Sequence, residues 1–308
     1  MAAEQEQHGG KSLVVEFSEG LADAVTRAGQ STVGVSARRR LGATGLIWSA
    51  DGLIVTADHV IQRTEEITVG LPDGRNVSAQ LVGRDPATDI AVLKTDVTGL
   101  TPVEPAKTET RVGHLVLALG RPHSGNPMAT LGIVSATDGA WRTWRGGRIE
   151  GAVRSDVTLY PGFSGGPLAD ASGQMIGMNT SALSRGLPVT VPYPVLSRVV
   201  QAVTSKGKVQ HGYLGIAAQP VALPESLRKQ TSLNQDAGLL VVGVEPASPV
   251  DKAGILLGDI LVAFGGHPTR SLEALNDRLG PESVGTQQAA KVVRGGQVTD
   301  LTVTVGER

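Results

Sequence analysis

The sequence predicts a mainly β protein that ends in a smaller α+β module. From Thr32 onward, short β-prone runs are broken by Gly, Pro and Asp, and many short strands at regular spacing are typical of a sandwich or a barrel. The 40 glycines and 17 prolines supply the turns that such a fold needs. Beyond Gln210, strand-like and helix-like runs alternate over roughly a hundred residues, a common size for one domain.

The predicted strands of the β-rich part are short and separated by turn residues. The segments Ala50-Asp51-Gly52 and Pro72-Asp73-Gly74 are typical of hairpin turns. Strands are expected at Gly45–Trp48, Leu53–Thr56, Ile67–Leu71, Val77–Val82, Ile90–Lys94, Val112–Leu119, Gly132–Ala136 and Gln174–Asn179.

Helical spacing of apolar residues occurs on both sides of these strands. Residues from Phe17 to Ala28 predict an amphipathic helix, and residues 193–205 predict a second helix. The first helix could pack on its own domain or contact another subunit, and the pattern does not choose between them. Residues 1–11 are polar and are expected to be disordered. The predicted organisation is an N-terminal segment (1–30), a β-rich domain (31–205), a linker (206–211) and an α+β domain (212–308).

The α+β domain has clear helix signals. Ser248 is a suitable N-cap for a helix with Pro249 at its first position, and Gly254 can end that helix. The other expected elements are a strand starting at Tyr213, strands Gly238–Val244 and Leu261–Phe264, a helix Ser271–Leu279, and strands Gln288–Val293 and Leu301–Val305.

Charge and composition exclude several classes of protein. The net charge of -1 gives no electrostatic reason to expect nucleic acid or an anionic membrane as a partner. With no cysteines, the chain has no disulfide, thiolate nucleophile or cysteine-ligated zinc, and we expect no metal or cofactor. No stretch approaches the ~18 apolar residues of a membrane span, and residues 1–11 contain no hydrophobic signal region. These features favour a cytoplasmic location over export with later removal of an export segment.

The segment Gly162-Phe163-Ser164-Gly165-Gly166-Pro167 carries the most chemical information. Its glycines permit a tight turn that brings the backbone close to a reacting carbonyl. If Ser164 is a nucleophile, the amides of Gly162 and Ser164 can form an oxyanion hole. The alternative is an ordinary turn serine, since glycine-rich turns are common.

A candidate base and a candidate acid lie upstream of this serine. His59 ends one β-prone run and Asp89 begins another. A serine hydroxyl needs an imidazole to take its proton, and the imidazole needs a carboxylate to hold one tautomer. The order His, Asp, Ser is that of serine proteases built on two β-barrels. Asp58 and Asp85 are the competing acids, but Asp58 directly precedes the histidine and Asp85 is placed as a turn residue before proline.

These motifs together resemble the HtrA (Deg) family of serine proteases, and the second domain resembles a PDZ domain of that family. The resemblance covers roughly residues 30–305. It is carried by Thr56–Val60, Asp85–Lys94, Pro161–Leu168, Ile176–Thr180, Tyr213–Ile216, Ala247–Pro249, Ala253–Ile255 and Gly258–Leu261.

The resemblance implies a fold, an activity and an assembly. The implied fold is a pair of six-stranded β-barrels, with His59, Asp89 and Ser164 as the catalytic triad in the cleft, followed by one PDZ domain. The implied activity is ATP-independent serine endoproteolysis of unfolded or damaged proteins in quality control, often with chaperone behaviour. The implied assembly is a homotrimer or a larger homo-oligomer.

Two further sets of residues are candidates for binding. Met178 and Leu183 could line the pocket for the substrate side chain before the cut, or they could be barrel core. In Tyr213-Leu214-Gly215-Ile216, successive amides could hold the carboxylate of a hydrophobic C-terminal peptide that adds to the strand edge. Alternatively, this segment only completes the sheet.

The sequence departs from the family pattern at several positions. Phe163 replaces the usual Asn before the serine, and it could narrow the cleft or favour an inactive loop. The segment Gly42–Gly45 lacks the usual Gly-Ser-Gly, and Trp141–Gly151 is unlike the family's regulatory loop. Trp141 and Trp144 could dock a neighbouring subunit or the PDZ domain, or anchor their own loop. These departures motivate an alternative function, a PDZ-containing chaperone or scaffold with a latent or inactive protease domain.

Overall fold

The computed structural model divides into two compact units, Met1–Lys208 and Val209–Arg308. It describes residues 12–38, 41–122, 125–137, 139–143, 147–183, 189–207 and 209–307. The predicted disorder of residues 1–11 falls outside the described residues.

The first six strands form a closed antiparallel barrel. Around the barrel the order is β1-β2-β3-β6-β5-β4, and β1 closes it by pairing with both β2 and β4. The two predicted hairpin turns join β2 to β3 and β4 to β5. The strands are β1 (Thr32–Ser36), β2 (Ala43–Ile47), β3 (Leu53–Ala57), β4 (Ile67–Gly70), β5 (Asn76–Asp85) and β6 (Ile90–Lys94). All five residues of β2 are buried, so this strand is covered on both faces.

A second closed barrel follows, in the order β11-β14-β13-β12-β7-β8. Its core includes Val116, Val134, Phe163 and Leu168. A two-stranded antiparallel sheet, β9 and β10, lies between β8 and β11 in the chain. The strands are β7 (Leu115–Gly120), β8 (Met128–Thr137), β9 (Trp141–Arg142), β10 (Arg148–Ile149), β11 (Val153–Ser155), β12 (Pro167–Asp170), β13 (Met175–Thr180) and β14 (Val189–Pro192).

Two helices pack on these barrels. Helix α1 (Leu13–Gly29) buries Ala24 and Ala28 against residues of β7 and β12. Helix α2 (Tyr193–Lys206) buries one apolar face, including Val195, Val199 and Val203, and contacts strands of both barrels. It ends at Lys206 and is followed by Gly207, whose left-handed conformation (φ 75°) suits glycine.

The C-terminal unit consists of a six-stranded sheet, a two-stranded sheet formed by β15 and β22, and short helices. The sheet order is β16-β17-β18-β20-β21, so β16 lies at an edge, and β19 pairs with β18. Its core includes Leu214, Leu239, Leu261 and Phe264. The strands are β15 (Gly212–Tyr213), β16 (Ile216–Ala222), β17 (Ala237–Val244), β18 (Ile260–Phe264), β19 (His267–Pro268), β20 (Gln287–Arg294), β21 (Gln297–Thr304) and β22 (Gly306–Glu307), and the helices are α3 (Glu225–Thr231), α4 (Pro249–Lys252) and α5 (Leu272–Asn276).

This architecture confirms the predicted fold class, two six-stranded β-barrels followed by an α+β unit. Most predicted elements are present, with shifted ends. Helix α1 begins at Leu13 rather than Phe17, and helix α5 ends at Asn276 rather than Leu279. The chain leaves the helix there, and the Leu279 carbonyl accepts a hydrogen bond from the Gly212 amide at 3.0 Å.

Candidate active site

His59 and Asp89 are held together by three polar contacts. His59 lies in a 3-10 turn, Asp58–Val60, that directly follows β3. Its Nδ1 is 2.9 Å from Asp89 Oδ2 and 3.1 Å from Oδ1, and its backbone amide donates to Oδ1 at 2.8 Å. An ionised carboxylate can only accept, so Nδ1 carries the shared proton and Nε2 is left as the acceptor. The pair is therefore arranged to hold the imidazole in the tautomer that a general base needs.

Asp89 occupies an unusual backbone position just before β6. Its φ is 58°, in the left-handed region that a non-glycine residue seldom adopts. Its side chain is 1% exposed, and its carbonyl accepts the Asp58 amide at 3.1 Å. The competing acids have other partners: Asp58 pairs with Arg84 Nε, and Asp85 accepts the Thr88 hydroxyl at 2.6 Å. Asp89 is thus the acid that faces the histidine ring.

Ser164 directly follows a four-residue turn, residues 160–163, whose residue types suit its geometry. The Phe163 amide donates to the Tyr160 carbonyl at 3.0 Å, with Pro161 and Gly162 between them. Proline keeps φ negative at the second turn position and Gly162 has φ 94°, which is the pattern of a type II turn. A Cβ at Gly162 would also lie 2.5 Å from Pro122 Cβ, so any other residue would clash there.

The first barrel anchors the serine segment. The Thr44 hydroxyl donates to the Gly162 carbonyl at 2.7 Å, and the Thr44 amide donates to the Ser164 carbonyl at 3.2 Å. Within the described residues, neither the Gly162 amide nor the Ser164 amide donates a hydrogen bond, so both remain available to a bound oxyanion.

The sequence analysis missed two residues that connect Ser164 to the His59–Asp89 pair. The Thr180 hydroxyl, at the end of β13, donates to Asp89 Oδ2. Its neighbour Ser181 places Oγ 3.2 Å from Ser164 Oγ. In the described part of the chain, no hydrogen bond joins Ser164 to His59. No local pattern could have revealed Thr180, because it lies 91 positions from Asp89.

Phe163 does not narrow the cleft, because its side chain points into the second barrel. The ring is 0% exposed and belongs to the barrel core. It meets the Tyr160 ring edge-on, with centroids 5.8 Å apart. The buried ring of Phe163 therefore fixes the turn before Ser164 to the core of the second barrel.

The two pocket candidates are buried in this structure. Met178 lies in β13 with 0% exposure, and Leu183 is 3% exposed. Their role in a substrate pocket stays a prediction.

The Tyr213–Ile216 segment leads into the edge strand β16. Leu214 is in the core, while Gly215 has φ 76° and its carbonyl accepts the Glu245 amide at 2.9 Å. In the described part of the chain, the amides of Leu214 and Gly215 donate no hydrogen bond, and β16 pairs only with β17. The free amides and the open edge leave space for an added peptide strand.

Thr143, which follows β9, contacts the loop that carries Asp89. The Thr143 hydroxyl donates to the Ala87 carbonyl at 2.6 Å. The Trp141 indole Nε1 is buried without a hydrogen-bond partner among the described residues. Trp144 lies outside the described residues, so the roles predicted for the two tryptophans stay predictions.

Comparison with known proteins agrees with this arrangement. Residues 43–178 match the trypsin-like peptidase domain, and residues 212–305 match the PDZ domain. Fold and site thus define a trypsin-like protease domain joined to a PDZ domain. A solved serine endoprotease from Yersinia pestis has a TM-score of 0.75 and 31% identity, covering 94% of this chain and 98% of that one. The HtrA-type protease AlgW, solved with a decapeptide, gives 0.75 and 29%, with the same coverage. The chain belongs to the HtrA/DegP-like family of serine endoproteases.

The curated relatives are longer than this chain. A probable periplasmic serine endoprotease, DegP-like, from Halomonas elongata is 35% identical over 280 residues, which are 89% of this chain and 58% of the relative. The corresponding protein of Chlamydia trachomatis is 33% identical over 281 residues, 87% of this chain and 54% of the relative. The chain therefore spans little more than half the length of these relatives.

The names of these relatives contradict the expected cytoplasmic location. Both are described as periplasmic, so the prediction from composition is wrong. Its physical basis was weak, because a cysteine-free folded domain can work on either side of a membrane. None of the helices in the described ranges combines the length and apolarity needed to cross a membrane.

Proposed function

We propose that this chain is an ATP-independent serine endopeptidase that cleaves unfolded or damaged proteins in quality control outside the cytoplasm. The observation that carries the proposal is the His59–Asp89 pair, joined through Thr180 and Ser181 to Ser164. The periplasmic endoprotease names of the relatives support the location and the activity.

The acylation step uses each residue in one role. Ser164 Oγ attacks the carbonyl carbon of the scissile peptide bond while His59 Nε2 takes the hydroxyl proton. Asp89 accepts from Nδ1 and stabilises the imidazolium. The amides of Gly162 and Ser164 donate to the oxyanion, and one such donor is worth on the order of 3 kcal/mol.

Collapse of the tetrahedral intermediate completes the cleavage. The carbon–nitrogen bond breaks, and His59 donates its proton to the leaving amine. Water then attacks the acyl-enzyme, with His59 again taking a proton, and Ser164 leaves with that proton. The mechanism requires no metal or cofactor.

The C-terminal unit is proposed to bind hydrophobic C-terminal peptides. The free amides of Leu214 and Gly215 suit a terminal carboxylate, and the open edge of β16 suits an added strand. Fluorescence anisotropy with a peptide bearing a free C-terminus should show binding that amidation of the same peptide abolishes. Equal binding of both peptides would contradict a carboxylate site, and a pure scaffold would bind neither.

The assembly is proposed to be a homotrimer or a larger homo-oligomer. The first turn of α1 supports this, because Leu13 and Val14 are 82% and 74% exposed and Phe17 is 51% exposed. Such apolar exposure is costly unless another surface covers it. Light scattering coupled to size-exclusion chromatography measures the subunit number directly, and a monomer at micromolar concentration would contradict the proposal.

The alternative of a chaperone or scaffold with a latent protease domain has less support. Phe163, which motivated it, is buried away from the cleft, and the relatives and solved neighbours are endoproteases.

The decisive test combines casein cleavage with labelling of the nucleophile. The full chain is incubated with unfolded casein and separately with a serine-reactive phosphonate, and the adduct is located by mass spectrometry. We expect an adduct on Ser164, and we expect Ser164→Ala to abolish both labelling and cleavage. Ser172→Ala is the matched control, because Ser172 is exposed in a turn of the same barrel. Cleavage that survives in Ser164→Ala would refute the proposal.

A further inference from the structure

The hydroxyl of Ser181 is positioned to affect the reactivity of Ser164. The two Oγ atoms are 3.2 Å apart, a long hydrogen bond for two hydroxyl groups. Among the described residues, Ser181 is the hydrogen-bond partner of the Ser164 hydroxyl, and the His59 ring is not. The nucleophile is therefore engaged by a neutral hydroxyl where a general base is needed.

Both directions of this hydrogen bond oppose activation. A hydroxyl has one proton to donate and two lone pairs that accept. If Ser164 donates to Ser181, its proton is withheld from His59 Nε2. If Ser181 donates to Ser164, it occupies a lone pair of the attacking oxygen and lowers its nucleophilicity. The direction of the effect does not depend on which oxygen is the donor.

The location of Ser181 is set by its neighbours rather than by its own side chain. Thr180 is fully buried, and its hydroxyl both donates to Asp89 and accepts the Ala182 amide at 3.1 Å. Ser181, between these two residues, is exposed. The backbone thus holds Ser181 beside the nucleophile, while its side chain remains accessible to a molecule that enters the cleft.

We propose that Ser181 is a positioning residue that restrains Ser164 in the resting enzyme and that Ser164 must leave this hydrogen bond to react. The inference rests on the proposed function, since it assumes that Ser164 is the nucleophile. A neutral hydrogen bond has a net free energy that corresponds to about a two- to tenfold change in an equilibrium. Removing the Ser181 hydroxyl should raise the reactive fraction of Ser164 by that factor.

The test measures the rate at which a serine-reactive phosphonate labels Ser164 in the full chain. We expect Ser181→Ala to be labelled about two- to tenfold faster than wild type, with the same factor in kcat for a casein-derived peptide and little change in KM. Ser181→Thr restores a hydroxyl at an exposed position and should be labelled at the wild-type rate. Ser172→Ala is the matched control, because the Ser172 hydroxyl makes no hydrogen bond within the described residues.

The outcomes separate this inference from the proposed function. Labelling of wild type and Ser181→Ala at equal rates, or slower labelling of Ser181→Ala with an unchanged Tm, overturns the inference alone. If Ser181→Ala is labelled on Ser164 and wild type is not, the inference that Ser181 restrains Ser164 is supported. Absence of any label on Ser164, in wild type and in every variant, refutes the proposed function and the inference with it. Ser181→Gly repeats the measurement if alanine lowers Tm.

Discussion

Replacing Gly120 with alanine should displace the Phe163 ring, which precedes the proposed nucleophile Ser164. A Cβ at Gly120 would lie 2.6 Å from Phe163 Cε1 and 2.8 Å from Cγ, and closer still to Cδ1. The ring is 0% exposed and contacts the Tyr160 ring, so moving it displaces neighbouring side chains. Overpacking of this kind costs about 1–3 kcal/mol, whereas replacing a strand glycine by alanine gains about 0.5–1 kcal/mol. The clash outweighs the gain, and we expect a net loss of about 1–2 kcal/mol in the free energy of unfolding.

The effect on catalysis should exceed the effect on stability. To restore an ordinary contact of 3.4 Å, Cε1 must move by about 0.8 Å, and Cδ1, the ring atom nearest the added Cβ, must move further. Phe163 lies directly between Gly162 and Ser164, so this movement reaches both proposed oxyanion donors. A misplacement of about 1 Å can cost on the order of 100-fold in rate. We expect casein cleavage to fall by about ten- to a hundredfold in a protein that remains folded.

Urea unfolding and casein cleavage, measured on the same samples, test this reasoning. In the double variant Gly120→Ala/Phe163→Leu, the smaller side chain should make room for the methyl group. Its loss of stability should therefore be smaller than the sum of the single losses, by about 0.5–3 kcal/mol. Gly20→Ala in α1 is the matched control, because no atom lies within 4 Å of its added Cβ, and it should leave activity unchanged. If Gly120→Ala is as stable and as active as wild type, the reasoning that the Phe163 ring is confined is refuted.

Three further predictions concern other contacts. Arg84→Gln removes a charged partner of the buried Asp58 and should cost about 1–3 kcal/mol in the urea unfolding free energy; an unchanged midpoint would contradict it. Gly215→Ala should destabilise the C-terminal unit by about 1–3 kcal/mol, because φ is 76° and its Cβ would clash with a neighbouring serine; thermal unfolding of this unit measures the loss. Burial raises the pKa of Asp259, but the hydrogen bonds and charge of Arg294 outweigh it and hold that pKa below 3.8. The ion pair therefore stabilises the folded unit above pH 3.8, and this contribution is lost as the pH falls through the lower folded pKa; Asp259→Asn should flatten the acid side of the stability curve.

Local sequence signals predicted the elements that depend on nearby residues. The strand Ile90–Lys94 has the predicted bounds, and α4 begins at Pro249 with Ser248 accepting the Asp251 amide at 3.3 Å. Turn chemistry of this kind acts over three or four positions, so the residue types are sufficient. Element ends were less predictable, because tertiary contacts decide where a helix such as α5 stops.

The residues of the candidate site were predictable where short motifs indicate their chemistry. His59, Asp89 and Ser164 stand in motifs whose order indicates a serine protease on two β-barrels. The direction of the Phe163 ring was not predictable, because it depends on the space that Gly120 leaves on a neighbouring part of the barrel.

The sequence by itself determined the two-domain organisation, the mainly β fold and the residue types of the proposed triad, since each depends on local pattern or motif order. Only the tertiary structure decided that Thr180 supports Asp89 and that Ser181, rather than His59, meets the Ser164 hydroxyl. The physical reason is that packing of the two barrels brings Thr180 to Asp89, 91 positions away, and folding of the second barrel brings Ser181 to Ser164, 17 positions away. Side-chain hydrogen bonds of that kind depend on distances and angles that exist only once both barrels have formed.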